Sequence, residues 1–373
     1  MTDGLPTAAS DTALAPEDVQ GEQSGWNRRH ARQKLGIILA AGMAGMVLLF
    51  IYSLTMGIYQ ISFSEALEDL WSIITHFGPS SDMSERVIYY LRMPRSVAVL
   101  CVGAGLATAG AVMQALIRNP LVDPYITGVS TGASFLVVLV TLGGLTLGAA
   151  AVSVPIAAIA GACAAFGITM AIAELAGGRA MSYVLGGVII STGLSAAMTL
   201  VIYYNSQDYS EIMRWMFGSF ADLSWDNAIV IVAGTVVPVL LAFCFSKKLN
   251  IMLLGEEQAQ YLGVDVRGLK RGLMVLVAIL TAFCVAYCGV IGFIGLIVPH
   301  VCRMLIGGDH RLLIPASAVV GALALLIADV FCKTVAAPSE LPIGAVVAVI
   351  GVPFFRFLMV KEGKRYAMLG QFR

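Results

Sequence analysis

The chain has 373 residues, of which 58% are hydrophobic and only 12% are charged, and its formal net charge is zero. Soluble domains carry about 25% charged residues, whereas several apolar runs here reach the roughly 20 residues that a helix needs to cross a bilayer. The composition therefore excludes an ordinary soluble protein. It predicts an all-α polytopic membrane protein that is surrounded by membrane lipid and has no nucleic-acid partner.

Residues 1–34 form a polar segment that is acidic at first and basic near its end. A secretory signal would begin with a basic segment and a short apolar core before a cleavage site, and this pattern is missing. We therefore expect a disordered cytoplasmic tail whose basic end rests against anionic headgroups. The first apolar run then predicts an uncleaved membrane span.

Ten apolar runs predict a transmembrane domain over residues 35–360, with residues 361–373 as a cytoplasmic C-terminal tail. The division near Gly289 to Gly295 contains no charged residue and fits either a broken helix or a re-entrant segment. The predicted spans are 35–57, 95–117, 128–149, 153–175, 183–204, 227–246, 272–291, 292–306, 312–332 and 342–360.

The charges between these spans predict the orientation. If both termini are cytoplasmic, the cytoplasmic segments hold 18 of the 23 Lys and Arg residues. Cytoplasmic loops carry the excess of positive charge in membrane proteins, so we expect this orientation in the cytoplasmic membrane. The five outer cations are Arg86, Arg92, Arg95, Arg214 and Lys333.

The stretch LRMPRS, residues 91–96, places Arg92 and Arg95 at the outer mouth of the second span, three residues apart around Pro94. Lys333 stands at another outer span end. These cations either receive carboxylates from an external partner or snorkel to lipid phosphates. The pattern fits both interpretations.

The stretch GGRAMSYVLGGVIISTGLS, residues 177–195, begins in a short cytoplasmic loop and continues into a span of small, weakly polar residues. Such a helix either lines a wide translocation path or packs closely against its neighbours. The residues concerned are Gly186, Gly187, Ser191, Thr192 and Ser195.

Residues 247–271 look soluble between two apolar spans. Gly255 begins a predicted short helix with Glu256 and Glu257 in its first turn, where carboxylates interact favourably with the helix dipole. The glutamines Gln258 and Gln260 keep the segment polar. The loop is therefore either a solvated or interfacial connection or a folded cytoplasmic element.

Spacing within this loop favours a helix–turn–helix. Ala259, Leu262 and Val266 recur at helical spacing and predict one apolar stripe. Gly263 suits a left-handed helix end, and Asp265 is placed to cap the next helix.

Recognisable catalytic chemistry is sparse. The sequence has no P-loop motif, so we expect no nucleotide to bind through one. The seven cysteines lie in or at the edge of apolar runs without C-x-x-C spacing, and Cys284 and Cys288 share a helix face as packed thiols. His300 and Asp329 lie near span ends, where packing or interfacial roles compete with proton or metal chemistry.

Five long motifs in order resemble the FecCD family, the permease subunits of type II ABC importers for iron–siderophore complexes, haem and cobalamin. They cover about residues 90–360. The motifs are LRMPRSVAVLCVGAGLATAGAVMQALIRNPLVDPYITGVSTGAS, WMFGSFADLSW, LLGEEQAQYLGV, GFIGLIVPHVCRMLIGGDHRLLIP and IADVFCKTVAAPSELPIGAVVAVIGVPFF.

The resemblance implies a ten-helix permease with the type II ABC importer fold and no enzymatic activity of its own. It implies a homodimer, or a pair with a close paralogue, around a central path. Two cytoplasmic ATPase subunits would bind ATP and Mg²⁺, and a periplasmic or lipid-anchored binding protein would deliver the substrate. The chain itself would bind no cofactor.

The resemblance also implies roles for particular residues. The coupling helices, at about residues 250–271, would contact the ATPase, whereas Arg92, Arg95 and Lys333 would dock the binding protein. Lys333 stands where the cobalamin permease has an arginine, so its charge remains but a bidentate contact is lost. The coupling residues are Gly255, Glu256, Glu257, Gln258, Ala259, Leu262 and Gly263, and the cytoplasmic gate is Ala180, Met181 and Ser182.

An iron–siderophore complex is the expected substrate, with haem or cobalamin as the alternatives. Two other protein classes compete with an ABC importer. An ion-coupled secondary transporter should keep charged or unwound sites near mid-membrane, whereas the carboxylates and prolines here lie mostly at span ends. An intramembrane enzyme based on His300 and Asp329 has no accompanying nucleophile or metal-ligand set.

Overall fold

The computed structural model describes residues 16–142, 150–205, 210–221 and 223–370, and within these ranges all regular structure is helical. A π-helical turn, Ile88–Arg92, leads into α4, and a 3-10 turn, Pro124–Thr127, precedes α5. The α-helices are α1 Pro16–Thr55, α2 Phe63–His76, α3 Met83–Val87, α4 Met93–Ile117, α5 Val129–Leu142, α6 Ala150–Leu175, α7 Ala180–Tyr204, α8 Ser210–Met216, α9 Trp225–Cys244, α10 Ser246–Met252, α11 Glu256–Tyr261, α12 Val266–Cys288, α13 Ile294–Ile306, α14 His310–Val335 and α15 Ile343–Gly370.

Seven helical segments among the described residues are long and apolar enough to cross a membrane. Three shorter apolar helices, in α5, α13 and α15, complete the set. Each of the ten predicted spans overlaps one of these helices, although residues 143–149 of the third span lie outside the described ranges, so the predicted all-helical membrane architecture is confirmed. The seven long segments are His30–Thr55, Met83–Ile117, Ser153–Leu175, Ala180–Tyr204, Trp225–Cys244, Val266–Cys288 and His310–Val335.

Helical structure extends beyond the predicted membrane domain in both directions. α1 begins at Pro16, so the predicted disorder of residues 1–34 is wrong from that residue on. Proline fits the first position of a helix, and no further proline follows to interrupt it before the span. Residues 1–15 lie outside the described ranges. At the other end, α15 continues past the predicted boundary at residue 360 and reaches Gly370.

Between the first two predicted spans, where no element was predicted, the structure has α2 and α3. A reciprocal capping box begins α2: Ser62 Oγ accepts a hydrogen bond from the Glu65 amide, and the Ser62 amide donates to the Glu65 carboxylate. A serine followed three residues later by glutamate is the sequence signature of this cap. The signal was therefore present in the printed sequence.

The break between α12 and α13 lies where the uncharged stretch predicted it. α12 ends at Cys288, and Gly289 follows with a φ of +70°. A side chain at Gly289 would overlap the carbonyl oxygen of Trp215, so both the backbone angle and the close approach require glycine. The uncharged stretch is therefore a break between two separate helices, α12 and α13.

α4 forms the centre of the fold. It is buried along most of its length and packs against α9, α12, α13 and α14, whereas α1 and α7 leave most of their surfaces uncovered. Small residues allow this packing, because Gly110 of α4 lies directly against Gly295 of α13. Close backbone approach through glycine is a common means of packing membrane helices.

Gly110→Ala is expected to lower the free energy of unfolding by about 1–3 kcal/mol, because the added Cβ would overlap the Gly295 carbonyl oxygen and push the helices apart. The matched control is Gly272→Ala in α12, where an added Cβ meets no atom within 4 Å. That change should stabilise the helix by up to about 1 kcal/mol. Thermal unfolding in detergent compares the two, and equal midpoints would contradict the packing argument.

Candidate functional site

Two polar sites lie at opposite ends of α4. Arg95 marks the N-terminal end of the helix and Arg118 caps its C-terminal end. At about 1.5 Å rise per residue, these residues are roughly 35 Å apart, which exceeds the roughly 30 Å thickness of a hydrocarbon core. The two sites therefore face opposite sides of the membrane.

The first site is an ion cluster formed by Arg95, Asp329, Lys333 and Glu340. Arg95 Nη2 lies 2.8 Å from Asp329 Oδ1, and its Nη1 lies 2.7 Å from Glu340 Oε1. Lys333 Nζ lies 2.8 Å from Asp329 Oδ2, one helical turn away on α14. Two cations thus face two carboxylates, which offsets the cost of removing these charges from water.

Burial divides the cluster into an inner and an outer part. The Asp329 side chain is 0% exposed and forms ion pairs with both cations on their buried side, whereas the Glu340 side chain is 39% exposed. Lys333 Nζ also donates to Ser53 Oγ of α1 at 3.3 Å. The cluster therefore joins α1, α4, α14 and the loop before α15 at this end of the molecule.

Arg92 serves a different purpose from Arg95 in this structure. Its guanidinium is buried and donates to the carbonyl oxygens of Leu54 and Tyr59, at and after the end of α1. Arg92, Arg95, Lys333 and Glu340 all line one open cavity of about 810 Å³. The structure therefore brings the three predicted docking cations to one cavity, with Arg92 hydrogen-bonded to backbone and the other two paired with carboxylates.

Glu340 was missed by the sequence analysis. Its signal was a carboxylate in the short loop SELP, seven residues after Lys333. Asp329 was noted only as an ionisable group beside Lys333. Its full burial between two cations favours the structural interpretation over proton or metal chemistry.

The second site is a helical hairpin, residues 255–271, formed by α11, its following turn and the start of α12. Gly255 precedes α11 with a φ of +121°, and Gly263 forms the turn with a φ of +79°. Asp265 Oδ1 accepts a hydrogen bond from the Gly268 amide at 3.0 Å and caps α12. The predicted helix–turn–helix is confirmed.

The two adjacent glutamates of the hairpin point in different directions. Glu256 Oε1 accepts from Arg118 Nη2 at 2.9 Å and from Lys270 Nζ at 2.7 Å. Burial raises the pKa of the Glu256 carboxyl, but the ion pairs with Lys270 and Arg118 outweigh it and hold the pKa below its usual range. Glu257 is exposed. Glu256 thus fastens the hairpin to the end of α4, and Glu257 faces outward.

The apolar stripe predicted for the hairpin is only partly correct. Ala259 and Val266 are buried, but Leu262 is 61% exposed. α11 ends at Tyr261, so the chain turns before Leu262 reaches the buried side. Together with Leu254 and the 91% exposed Tyr261, Leu262 forms an apolar patch beside exposed polar side chains such as Gln258. This combination is typical of a protein–protein contact surface.

The predicted gate residues lie at the start of α7. Ala180 is its first residue, Met181 is exposed, and Ser182 Oγ donates to the Ala176 carbonyl at 3.2 Å. The structure shows how this region joins the hairpin. Arg271 of α12 forms a two-point ion pair with Glu174 at the end of α6, with Nε–Oε1 at 2.8 Å and Nη2–Oε2 at 2.5 Å.

Tyr183 completes this connection, because its hydroxyl donates to Glu174 Oε1 at 2.6 Å. Glu174 therefore holds α12 on one side and α7 on the other, and sequence reasoning missed all three side chains. The only sign of this connection in the sequence was one charge near the end of α6, Glu174, and an opposite charge near the start of α12, Arg271. They link the hairpin to the predicted gate through direct contacts.

The small residues of α7 divide between the two interpretations that the sequence left open. Side chains at Gly186 and Gly187 would meet the carbonyl oxygens of Thr169 and Ile126, so these two glycines serve close packing. Thr192 and Ser195 lie on the exposed face of α7, and Ser191 is half-buried. Of the five predicted residues, only Ser191, Thr192 and Ser195 can therefore line a translocation path.

No group of three or more His, Cys, Asp or Glu side chains that could hold a metal ion occurs among the described residues. All seven cysteines are free thiols, and Cys284 and Cys288 are buried. His300 is buried within α13 beside Pro299.

Comparisons with known proteins agree on one family. The model of the FecCD transport family matches residues 45–361. The hemin transport system permease protein HmuU of Yersinia pestis is 35% identical over 338 residues, covering 90% of this chain and 97% of the relative. The vitamin B12 import system permease protein BtuC of Salmonella arizonae is 40% identical, covering 76% and 86%.

Two further matches extend the comparison. The Fe(3+)-citrate import system permease protein YfmD of Bacillus subtilis is 37% identical, covering 83% of this chain and 90% of the relative. A solved structure described as a metal-chelate type ABC transporter in an inward-facing conformation is 30% identical, with a TM-score of 0.77, covering 87% of this chain and 99% of that one. The chain therefore belongs to the FecCD transport family, the permease subunits of type II ABC importers.

Proposed function

We propose that this chain moves an iron–siderophore complex across the cytoplasmic membrane by alternating access, while a separate ATPase hydrolyses ATP. The observation that carries the proposal is the hairpin, which presents an exposed apolar patch and is joined by ion pairs to α4 and to the start of α7. Relatives named for hemin, vitamin B12 and Fe(3+)-citrate support a metal complex as the cargo. Haem and cobalamin are the alternative substrates.

The charge distribution supports a cytoplasmic hairpin and cytoplasmic termini. The predicted topology puts 18 of the 23 Lys and Arg residues in segments on the same side as the hairpin. Two ATPase subunits, carrying ATP and Mg²⁺, would then bind the apolar patch from the cytoplasm. The ion cluster would face outward, where a periplasmic or lipid-anchored binding protein delivers its cargo.

A second permease copy, or a close paralogue, would complete the translocation path. α7 leaves most of its surface uncovered within one chain, and Thr192 and Ser195 lie on that open side. The hydroxyl of Thr192 is already bound to the Val188 carbonyl at 2.8 Å. A path lined by such satisfied hydroxyls would hold a cargo weakly, which suits a permease whose binding protein supplies the affinity.

Reconstitution tests the function. The permease, its ATPase and its binding protein are placed in proteoliposomes, and uptake of a ferric siderophore, haemin, cobalamin and ferric citrate is measured with and without ATP. We expect ATP-dependent uptake of the ferric siderophore. ATP-dependent uptake of another compound alone would overturn the substrate assignment. Uptake that follows an ion gradient without ATP would overturn the importer mechanism.

The ion cluster suggests how an incoming carboxylate would dock. Glu340 is the exposed partner of Arg95, whereas Asp329 is fully buried. A carboxylate of the binding protein can therefore replace Glu340 on Arg95 while Asp329 keeps both cations in place. Arg92 contributes positive potential to the same cavity but has its donors engaged with backbone carbonyls.

Glu340→Gln is therefore expected to tighten capture of the binding protein by a few-fold, because it removes a competing carboxylate, whereas Arg95→Gln should weaken it by at least about tenfold. Surface plasmon resonance on the permease in nanodiscs, at low and high salt, measures both. Arg86→Gln removes an exposed cation outside the cluster and is the matched control. Unchanged affinity in both cluster variants would contradict docking at this site.

A further inference from the structure

The helix α2 lies at the same end of the molecule as the ion cluster and packs against α1, α3 and the π-helical turn. One of its faces is buried against the protein, through Ala66, Asp69 and Ile73. Ala66 and Ile73 join Leu54 of α1 and Ile88 of the π-helical turn in a small core separate from the main one. This face fixes the orientation of α2.

A second face of α2 is apolar and yet uncovered. Phe63, Leu67, Trp71 and Ile74 recur along it at helical spacing, and each is 49–70% exposed. At about 100° per residue, this strip is centred roughly 120° around the helix axis from the buried face. It is therefore a distinct surface that no described residue of the chain covers. Leu67, Trp71 and Ile74 line one shallow apolar groove.

The rest of the circumference is polar. Ser64, Glu68 and Thr75 are exposed on the side away from the buried face. A helix with only protein and water as neighbours shows one apolar and one polar face. α2 instead has three sectors, which face protein, an apolar medium and water. This arrangement is typical of a helix that lies in a membrane interface.

The position of α2 places lipid at the apolar strip. The helix follows the end of the membrane span in α1, and exposed Tyr52, Tyr59 and Tyr90 lie in the last turns of α1, the loop after it and the π-helical turn. Arg92 of that turn donates to the carbonyl oxygens of Leu54 and Tyr59, which brings these segments together. Aromatic side chains of this kind concentrate where the membrane meets water. Phe77, directly after α2, is 96% exposed in a left-handed conformation, which few non-glycine residues adopt.

We propose that α2 lies in the headgroup layer of the membrane face opposite the hairpin and inserts Phe63, Leu67, Trp71 and Ile74 among phospholipid chains. The proposal depends neither on the cargo nor on the ATPase. By anchoring the loop after α1, α2 holds the Tyr59 carbonyl that binds Arg92. The lipid contact thus sets the level of the ion-cluster cavity relative to the membrane surface.

Quenching of tryptophan fluorescence in phosphatidylcholine vesicles tests whether the apolar strip of α2 contacts lipid. In a Trp71→Phe background, one variant carries Leu67→Trp on the apolar strip and another carries Glu68→Trp on the polar face of the same helix. The fluorescence that each variant gains over its background is measured with lipids brominated near the headgroup, with lipids brominated near the chain ends, and with aqueous iodide. The fluorescence of Trp71 itself is the difference between wild type and Trp71→Phe, and its quenching is measured with the same three quenchers.

We expect residues 67 and 71 to be quenched most strongly by bromine near the headgroup and weakly by iodide, and residue 68 to show the reverse. Equal iodide quenching at residues 67 and 68 would overturn the proposal, because it would place the strip in water. Protection of residues 67 and 71 from both bromolipid and iodide would also overturn it. That result would mean that a second copy or another protein covers the strip.

Discussion

Asp329→Ala is expected to lower the free energy of unfolding by about 3–5 kcal/mol, because it leaves Arg95 and Lys333 buried without their shared carboxylate. Asp329 is fully buried, accepts a hydrogen bond from Arg95 and forms an ion pair with Lys333, at 2.8 Å in each case. Glu340 can still neutralise Arg95 from the exposed side, but Lys333 has no second carboxylate within 4.0 Å among the described residues. The loss is measured by denaturation of the detergent-solubilised permease.

Two further variants distinguish the cost of leaving a buried cation unpaired from the cost of shortening an aspartate side chain. Asp226→Ala removes an exposed carboxylate from the first turn of α9 and should cost about 1 kcal/mol or less. Asp329→Ala combined with Lys333→Met should recover a large part of the stability, since it removes the unpaired cation as well. A single and a double variant of equal stability would show that the two charges do not depend on each other.

The membrane spans were predictable because a bilayer imposes a simple rule on sequence. A spanning helix must be apolar over about 20 residues, and each of the ten apolar runs is helical in the part that the structure describes. Helices that do not span the membrane follow local rules that hydropathy does not report. α2 is partly polar, and its capping box at Ser62 and Glu65 was the sign of it.

The hairpin shows the limit of local reasoning. Gly255, Gly263 and Asp265 act through their own backbone angles or through neighbouring amides, so their roles could be read from sequence. The different roles of Glu256 and Glu257 could not be read in this way. Glu256 is fixed by Arg118, which lies 138 residues earlier in the chain, and only the packing of α4 brings the two together.

The ion cluster was partly visible in the sequence. Asp329 and Lys333 are four residues apart, which places them on one face of a helix. Arg95 reaches Asp329 across 234 residues and Glu340 across 245 residues. The Asp329–Lys333 ion pair could therefore be predicted from sequence spacing, whereas the two ion pairs of Arg95 become visible only in the folded structure.

Two consecutive residues of α12 connect the hairpin to the rest of the permease. Lys270 binds Glu256 of α11, and Arg271 binds Glu174 at the end of α6. Glu174 also accepts from Tyr183 of α7. A displacement of the hairpin therefore pulls directly on α12 and, through one carboxylate, on the start of α7. This chain of contacts supports the proposed transmission of ATPase motion to the gate.

Glu257→Arg is expected to reduce cargo uptake per ATP hydrolysed by at least about tenfold, since it reverses a charge on the outward face of the hairpin and would mismatch the ATPase surface. Glu257 is exposed, unlike Glu256, whose carboxylate holds the hairpin in place. The folded permease should therefore keep its thermal stability. ATP hydrolysis and uptake are measured together in proteoliposomes that contain the ATPase and the binding protein.

Glu68→Arg is the matched control for this prediction, because it makes the same charge reversal on an exposed helix face at the opposite end of the molecule. It should leave the ratio of uptake to hydrolysis unchanged. A third variant, Glu256→Gln, should lower both thermal stability and coupling, because Lys270 would lose its ion-pair partner. If the Glu257→Arg permease transports as well as wild type does, the ATPase does not contact the exposed face of α11. The apolar patch of Leu254, Tyr261 and Leu262 would then be the surface to alter.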